Sequence, residues 1–228
     1  TADGVTYELA DAEGQVLATA EGLGTVQLAA NGITPWTPET PALYTLRVTV
    51  TANGTADTTE QRIGIRTIQV SSKTGLLLNG QPRTMKGGCI HHDLGILGAA
   101  DHAAAERRRI RLMKESGFDA IRAAHNPFGP AFLDACDELG MLVVEEAFDE
   151  WVMGRTSFGL HVTFEQCWEK DLEDMITRDY NHPCIVMWST GNEVEERDGT
   201  ADGFAWAKRL ADKVRSLDAS RPVSATAC

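Results

Sequence analysis

CIVMWSTGNE, residues 184–193, begins like a buried β-strand and ends on an amide and a carboxylic acid. The first five residues are apolar and rich in strand-forming types, and a Ser-Thr-Gly sequence then leads to Asn192 and Glu193. Gly-Asn is common in turns, so this stretch alone predicts no more than a strand followed by a turn. The other strands of the chain decide whether its polar end has a function.

Three apolar runs upstream, at 83–90, 118–124 and 141–148, also lead into polar residues. These are His91, His92 and Asp93 for the first run, His125 and Asn126 for the second, and Glu145, Glu146, Asp149 and Glu150 for the third. A fifth run lies at 222–227, and segments with helical spacing occupy 164–180 and 203–217. Strands that alternate with helices predict a parallel sheet with crossover helices.

Two architectures fit this alternation, a doubly wound open sheet and a (β/α)8 TIM barrel. A dinucleotide-binding sheet should carry G-x-G-x-x-G after its first strand, whereas KGGCIHHDLG, residues 86–95, has two histidines there. Polar residues at the C-terminal ends of four successive strands are typical of a barrel, because its active site lies at that end. The sequence therefore predicts a barrel, with helix starts at Asp101 and Pro130 and helix stops at Gly117 and Gly140.

Residues 1–72 have a different pattern, with short alternating stretches separated by turn signals such as DAEGQ and TANGTAD. Strands are predicted in VTYELA (5–10), TVQLAA (25–30), LYTLRVTV (43–50) and EQRIGIRTIQV (60–70). We interpret residues 1–72 as a truncated immunoglobulin-like β-sandwich, since a complete one needs about 100 residues. Residues 73–228 are too few for the ~250 residues of a closed barrel. They predict an incomplete one with about five strands, so the chain is α/β with an all-β N-terminal part.

Composition excludes several classes of protein. The formal net charge of −12 argues against nucleic-acid binding, which favours a basic face, and no apolar run is long enough for a membrane span. The five cysteines form no CxxC pair and predict reduced thiols, which favours a cytoplasmic protein. The chain starts without methionine, so we expect it to be part of a longer protein with its N-terminal part missing.

The polar strand ends allow three kinds of chemistry. His91, His92, Asp93 and His125 are candidate metal ligands, but adjacent histidines on a strand point to opposite faces and do not easily share one ion. No G-x-S-x-G motif or activated cysteine favours a covalent Ser or Cys route. Carboxylate acid–base chemistry remains. In a water-poor pocket walled by aromatics such as Trp188, Glu193 would have a raised pKa and could donate a proton near neutral pH. Cleavage of a glycosidic bond needs such a donor, because an alkoxide leaves poorly unless it is protonated, and Asn192 would then bind the sugar hydroxyl next to the anomeric carbon.

The residues that carry this chemistry resemble a known family. KGGCIHHDLGILGA (86–99), the stretch from Ile121 to Trp151 and RDYNHPCIVMWSTGNE (178–193) together resemble glycoside hydrolase family 2, which contains β-galactosidases, β-glucuronidases and β-mannosidases. Upstream, ITPWTPETPALYTLRV (33–48) resembles the immunoglobulin-like domain that precedes the barrel of this family. The resemblance covers essentially the whole chain.

The resemblance implies a retaining mechanism with two glutamates, on barrel strands four and seven. It matches Glu193 to the acid/base and Asn192 to the amide that binds the 2-hydroxyl. It matches His125 and His91 to residues of the sugar site, with Asn126 beside His125 in the same HNP motif. It also matches Arg122, on the second strand, to an arginine that orients the nucleophile.

Two departures from the family pattern matter. Some members bind Mg²⁺ through a glutamate and a histidine after the third strand, and Val152 stands where that histidine would be, so no metal or other cofactor is predicted. The nucleophile belongs to strand seven, which this chain does not reach. Glu145, Glu146 and Glu150 belong to strand three and do not replace it.

These observations predict a retaining exo-β-glycosidase that acts on a carbohydrate, with β-galactosidase ahead of β-glucuronidase and β-mannosidase. Because the chain carries one of the two glutamates, we expect it to be inactive alone. The alternative of another class is a non-catalytic carbohydrate-binding fragment. The exposed edges of an incomplete barrel, and the habit of the family, also predict homo-oligomers.

Overall fold

The computed structural model describes residues 2–225. Its N-terminal part contains a four-stranded antiparallel sheet in the order β2-β1-β3-β4. The strands are β1 (Gly4–Ala10), β2 (Val16–Glu21), β3 (Tyr44–Ala52) and β4 (Thr55–Ile63). This sheet confirms the all-β N-terminal part.

One predicted strand of this part is not formed. TVQLAA, residues 25–30, is irregular, although its residue types alternate. The irregular chain continues to Trp36, whose fully buried indole donates from Nε1 to the Asp137 carbonyl at 2.9 Å. The backbone N–H of Trp36 also donates to the Ile65 carbonyl at 2.8 Å. These two hydrogen bonds hold Trp36 against the barrel half and against the segment after β4.

A small antiparallel sheet in the order β5-β6-β7 connects the two parts. Its strands are β5 (Ile68–Ser71), β6 (Gly75–Leu78) and β7 (Gln81–Pro82). The domain boundary predicted between residues 72 and 73 falls in the turn between β5 and β6, and it stays a prediction.

The second half is a five-stranded parallel sheet in the order β12-β11-β10-β9-β8. The strands are β8 (Gly87–Ile90), β9 (Ala120–Ala123), β10 (Leu142–Glu146), β11 (Ile185–Ser189) and β12 (Val223–Ser224). The helices are α1 (Ala103–Glu115), α2 (Pro130–Leu139), α3 (Phe164–Asp179) and α4 (Gly203–Leu217). Within residues 2–225, β8 and β12 each pair on one side only, so the predicted incomplete barrel of five strands is confirmed.

The helix ends mostly follow the sequence signals. Pro130 is the first residue of α2, and Gly140 ends it in the left-handed conformation with φ of 74°. Helix α1, however, begins at Ala103 without a side-chain cap. The Asp101 carboxylate instead accepts a hydrogen bond at 3.1 Å from the N–H of Ala131, in the first turn of α2. None of the described helices is long and apolar enough to cross a membrane.

Candidate active site

The sheet pairing brings the polar residues of the middle strands to one face. Glu146 of β10 is in register with Ser189 of β11, and Val144, two residues earlier, is in register with Arg122 of β9. Side chains two residues apart on a strand share a face, so Arg122, Glu146 and Ser189 lie on the same inner surface. Glu145 points to the opposite face, toward the helices.

Glu146 is the centre of the hydrogen-bond network on this inner surface. Its carboxylate is fully buried, and its Oε2 accepts from Arg122 Nε at 3.0 Å and Nη2 at 2.7 Å. The same oxygen accepts from Ser189 Oγ at 2.7 Å. The other oxygen, Oε1, lies 2.7 Å from Nδ1 of His125. Four donors on three side chains therefore converge on one carboxylate.

The amide of Asn192 is held in one orientation by two neighbours. Arg122 Nη2 donates to Oδ1 of Asn192 at 2.9 Å, and Nδ2 of Asn192 donates to Oδ1 of Asp149 at 2.9 Å. A guanidinium can only donate and a carboxylate can only accept, so the oxygen and nitrogen of the amide are fixed by these partners. The second hydrogen on Nδ2 is left for another acceptor.

Glu193 differs from its neighbour Asn192 in exposure. Asn192 is buried, whereas 62% of the Glu193 side chain is exposed, with Oε2 at 3.8 Å from Arg155 Nη1. The backbone of Glu193 is left-handed, with φ of 41°, a conformation that β-carbon sterics disfavour and that is often found at functional turns. The carboxylate is thus presented to solvent at the end of β11.

The prediction that Trp188 lies beside Glu193 is wrong. Trp188 faces the helices, where Nε1 donates to Asp218 Oδ2 at 2.8 Å and the Arg221 guanidinium lies 5.1 Å from the indole ring. The parity of β11 puts Trp188 on the side opposite Ser189. Trp151 lies against the turn instead: its buried indole donates from Nε1 to the Thr190 carbonyl at 2.8 Å.

Gly191 is needed for this contact. A β-carbon at Gly191 would lie 2.8 Å from Nε1 of Trp151. Trp151 was not assigned a role from sequence, although its place directly after Glu150 at the end of the third strand was a usable signal.

The two predicted sugar-site histidines lie together. The rings of His91 and His125 meet edge to face, with centroids 4.9 Å apart. His92 turns away, as expected for adjacent residues, and stacks on Phe128 at 4.0 Å. Its Nε2 lies 3.2 Å from the Asn126 carbonyl.

Asn126 itself is placed apart from this network. It lines a cavity of about 310 Å³ on the helix side, together with Phe148, Met175 and Arg178. No hydrogen bond in the part of the chain that the structure describes joins its side chain to Arg122, Glu146 or Asn192, and its assignment to substrate stays a prediction.

Glu150, the candidate for one Mg²⁺ ligand, is enclosed by donors. Its Oε2 accepts from the Arg155 N–H at 3.0 Å, and Oε1 accepts from the N–H and Nδ1 of His161 at 3.1 and 3.0 Å. Burial raises the pKa of Glu150, but these hydrogen bonds outweigh it and the pKa lies below its usual value. Val152 offers no ligand atom where the resemblance expects a histidine, and the lack of a metal at Glu150 stays a prediction.

The ligand set first considered for a transition metal is not assembled either. Within residues 2–225, the only three-residue group compact enough for a metal comprises Asp137, His182 and Cys184, at the opposite end of the strands. Both oxygens of Asp137 are already hydrogen-bonded there. Oδ1 accepts from the Cys184 N–H at 2.9 Å, and Oδ2 lies 2.6 Å from His182 Nδ1.

Parallel barrel strands that end on an Asn-Glu pair, beside two imidazoles and an arginine, form a site suited to acid–base chemistry on a polar substrate. Comparisons with known proteins agree. The model of "Glycosyl hydrolases family 2, TIM barrel domain" matches residues 68–227, and that of "Glycosyl hydrolases family 2" matches residues 3–66. The chain therefore belongs to glycosyl hydrolase family 2, which confirms the predicted resemblance.

Three relatives illustrate the similarity. The β-galactosidase BoGH2A of Bacteroides ovatus is 36% identical and matches 97% of this chain and 31% of its own length. A solved family 2 member from Bacteroides cellulosilyticus superposes with a TM-score of 0.92 at 38% identity, over 97% of this chain and 30% of that one. The β-D-glucuronidase of Dictyoglomus thermophilum gives a TM-score of 0.83 at 27% identity, over 97% and 39%. The chain thus spans about a third of the length of these three relatives.

Proposed function

We propose that the protein containing this chain is a retaining exo-β-glycosidase and that Glu193 is its general acid/base. The observation that carries the proposal is the paired presentation of Asn192 and Glu193 at the end of β11. The amide is locked by Arg122 and Asp149, whereas the carboxylate stays exposed. The fixed Asn192 amide can orient a substrate, and the exposed Glu193 carboxyl group can reach a leaving group.

The roles follow from what each group can donate or accept. In its acid form Glu193 gives its proton to the glycosidic oxygen, and as a carboxylate it later takes a proton from water. The free hydrogen on Asn192 Nδ2 is available to the 2-hydroxyl, a contact that strengthens in the transition state. The His91 and His125 rings lie side by side at the neighbouring strand ends, where they could contact the sugar. We assign Arg122 to orienting the nucleophile, as the family pattern implies.

Among residues 2–225, no carboxylate on the inner surface is a candidate for the second carboxylate of a retaining mechanism. Glu146 is buried and accepts hydrogen bonds from three side chains, so neither oxygen is free to attack an anomeric carbon. We propose that the nucleophile belongs to a part of the protein outside these residues, and that the 228-residue chain alone lacks glycosidase activity.

The test is the dependence on leaving group in the whole protein. Glu193→Gln should lower kcat by roughly 10²–10⁴-fold on glycosides with poor leaving groups, and far less on activated nitrophenyl glycosides, which need little protonation. Glu195→Gln is a matched control, because Glu195 is an exposed glutamate in the same turn. An equal loss on both substrates, or the same loss in the control, would show that Glu193 is not the acid.

A non-catalytic carbohydrate-binding fragment is the second candidate, favoured by the open site on a chain with one of the two carboxylates. The 228-residue chain would be assayed on nitrophenyl β-galactosides and β-glucuronides and titrated calorimetrically with galactose and glucuronate. Sugar binding without turnover agrees with both candidates. Activity of the whole protein then supports the enzyme, and inactivity supports the binding module.

For the substrate we propose a terminal β-galactoside, with a β-glucuronide or β-mannoside as alternatives. A β-galactosidase stands first among the relatives described above, whereas the acidic charge of the chain decides nothing about a single sugar. Homo-oligomerisation, a cytoplasmic location and the lack of nucleic-acid partners stay predictions.

A further inference from the structure

Glu145 and Glu146 are neighbours on β10, and both are fully buried. On the helix side, Glu145 accepts one hydrogen bond, from the Phe128 N–H at 2.8 Å, and its Oε2 has no partner among the described residues. On the inner side, Glu146 accepts four hydrogen bonds from three side chains. The two glutamates are equally buried and differ in the hydrogen bonds that they accept.

The Glu146 contacts lead directly to the groups proposed to touch substrate. Arg122 Nη2 carries two hydrogens and donates one to Glu146 Oε2 at 2.7 Å and the other to Asn192 Oδ1 at 2.9 Å. The carboxylate accepts only, so the short contact with His125 requires a proton on Nδ1 of that ring. Removing the carboxylate would release both the guanidinium and the imidazole.

We infer that Glu146 is a positioning residue of this active site. It sets the tautomer and orientation of His125 and, through Arg122, fixes the amide of Asn192. The inference rests on the proposed function. It assigns no contact between Glu146 and substrate, because the carboxylate is buried and already accepts four hydrogen bonds.

Glutamine cannot replace this residue, for a reason of hydrogen-bond polarity. An amide has one accepting oxygen, while the four donors of Arg122, Ser189 and His125 are divided between both oxygens of Glu146. If the amide nitrogen replaces Oε2, it faces the guanidinium and the serine hydroxyl. If it replaces Oε1, it faces the Nδ1 hydrogen of His125, and the contact is kept only if that proton moves to Nε2, which changes the tautomer of the ring. Aspartate keeps the charge, but it is one methylene shorter and cannot reach all three side chains.

The experiment measures kcat and KM of the whole protein on nitrophenyl β-galactoside and on its 2-deoxy analogue. Glu146→Gln should lower kcat/KM about a hundredfold on the ordinary substrate, as expected for a misplaced orienting group. The loss should be several-fold smaller on the 2-deoxy substrate, which lacks the hydroxyl that Asn192 binds. Glu146→Asp should fall between wild type and Glu146→Gln.

Glu145→Gln is the matched control. It changes an equally buried glutamate on the same strand without touching Arg122, His125 or Asn192, so its kinetic constants should stay within about twofold of wild type. If Glu146→Gln does not fold, Ser189→Ala removes one donor and keeps the charge. It should then give a several-fold loss with the same substrate dependence.

Equal losses on the ordinary and 2-deoxy substrates, or equal losses in Glu145→Gln and Glu146→Gln, would overturn the inference and leave a purely structural role. The failure of the proposed function is distinguishable, because wild-type protein would then hydrolyse no nitrophenyl β-galactoside, β-glucuronide or β-mannoside. If it hydrolyses only one of the last two, the comparison is made with that sugar and its 2-deoxy analogue. An active wild type with an unaffected Glu146→Gln would overturn the inference alone.

Discussion

The two ends of the barrel strands carry polar networks built from similar residues, and they differ in what they leave free. At the C-terminal end, Asn192 keeps an unused amide hydrogen and Glu193 is exposed. At the N-terminal end, Arg221 is almost fully buried and donates to Asp218 and to the Ile185, Tyr180 and His182 carbonyls. The network at the N-terminal end of the strands, the closed end, is complete without a ligand. The network at their C-terminal end, the open end, has hydrogen-bond donors and acceptors without partners among residues 2–225.

The complete network joins the linker after β4 to the barrel. Arg66 donates to the carbonyls of Pro183 at 3.1 Å and Ile185 at 2.9 Å. Burial and the nearby Arg221 lower the pKa of Arg66 to about 10. Although burial raises the pKa of Asp218, hydrogen bonds from Ser220, Trp188 and Arg221 lower it to about 2. Barrels use this end for stability and the opposite end for chemistry, and the contrast predicts separate effects of mutation.

The largest expected effect on stability is at the closed end. Arg221→Met should destabilise the chain by about 3–5 kcal/mol, because it leaves the buried Asp218 carboxylate without its partner. Chemical denaturation measures the change in the free energy of unfolding. Arg122→Met at the open end is the matched comparison, because it also removes the guanidinium from a buried carboxylate, that of Glu146. The Arg122 side chain is 32% exposed against 3% for Arg221, so water can replace part of its contacts and less stability should be lost. A larger loss for Arg122→Met would break the contrast between the two ends.

A smaller effect on the free energy of unfolding, of opposite sign, is expected from substitution of Glu145, on the helix side of β10. Burial raises the pKa of Glu145 well above its usual value, and the nearby Asp179 adds to this. Below the unfolded-state value near 4.5 the group is protonated in both states and costs nothing. As the pH rises further, the unfolded state ionises and the folded state does not, so stability is lost until the pH passes the folded pKa.

Glu145→Gln removes this loss and should raise the free energy of unfolding at pH 7. The gain should shrink to nothing at pH 4. Denaturation curves at pH 4, 5.5 and 7 measure it, with Glu146→Gln as the control that should show no gain because it leaves Arg122 unpaired. A gain that does not change with pH would contradict the role assigned to the Glu145 proton.

The sequence predicted what local patterns and strand order determine. Helices α3 and α4 follow from the helical spacing of their apolar residues, and the periodic segment 203–217 coincides with α4. The five parallel strands and their polar C-terminal ends were also predictable, because alternating strands and helices allow few topologies. The pairing of His91 with His125 followed from placing both at neighbouring strand ends.

The rest depends on which face of a strand each residue occupies and on distant contacts. Glu145 and Glu146 look equivalent in sequence, and only the register with Ser189 turns Glu146 inward. The same parity sends Trp188 to the helices, against the prediction. TVQLAA alternates like a strand, but the chain there leads to Trp36, which packs on the barrel half. These contacts join residues that are distant in sequence, so local sequence patterns do not predict them.

The smallest expected effect tests whether every polar contact at the open end is functional. Asp101 lies at this end and accepts a hydrogen bond from the first turn of α2, outside the network of Glu146. Asp101→Ala should cost about 1 kcal/mol, the usual value of a lost cap, and should leave kcat/KM of the whole protein unchanged.

The control is Asp134→Ala, which removes an exposed aspartate of the same helix that caps nothing. It should cost clearly less than Asp101→Ala in chemical denaturation, because alanine is a good helix former and no backbone donor loses its acceptor. A kinetic defect in Asp101→Ala would mean that the functional surface extends beyond the three side chains that Glu146 holds. The whole C-terminal end of the strands would then serve function, and not only the side chains that keep free hydrogen-bond donors or acceptors.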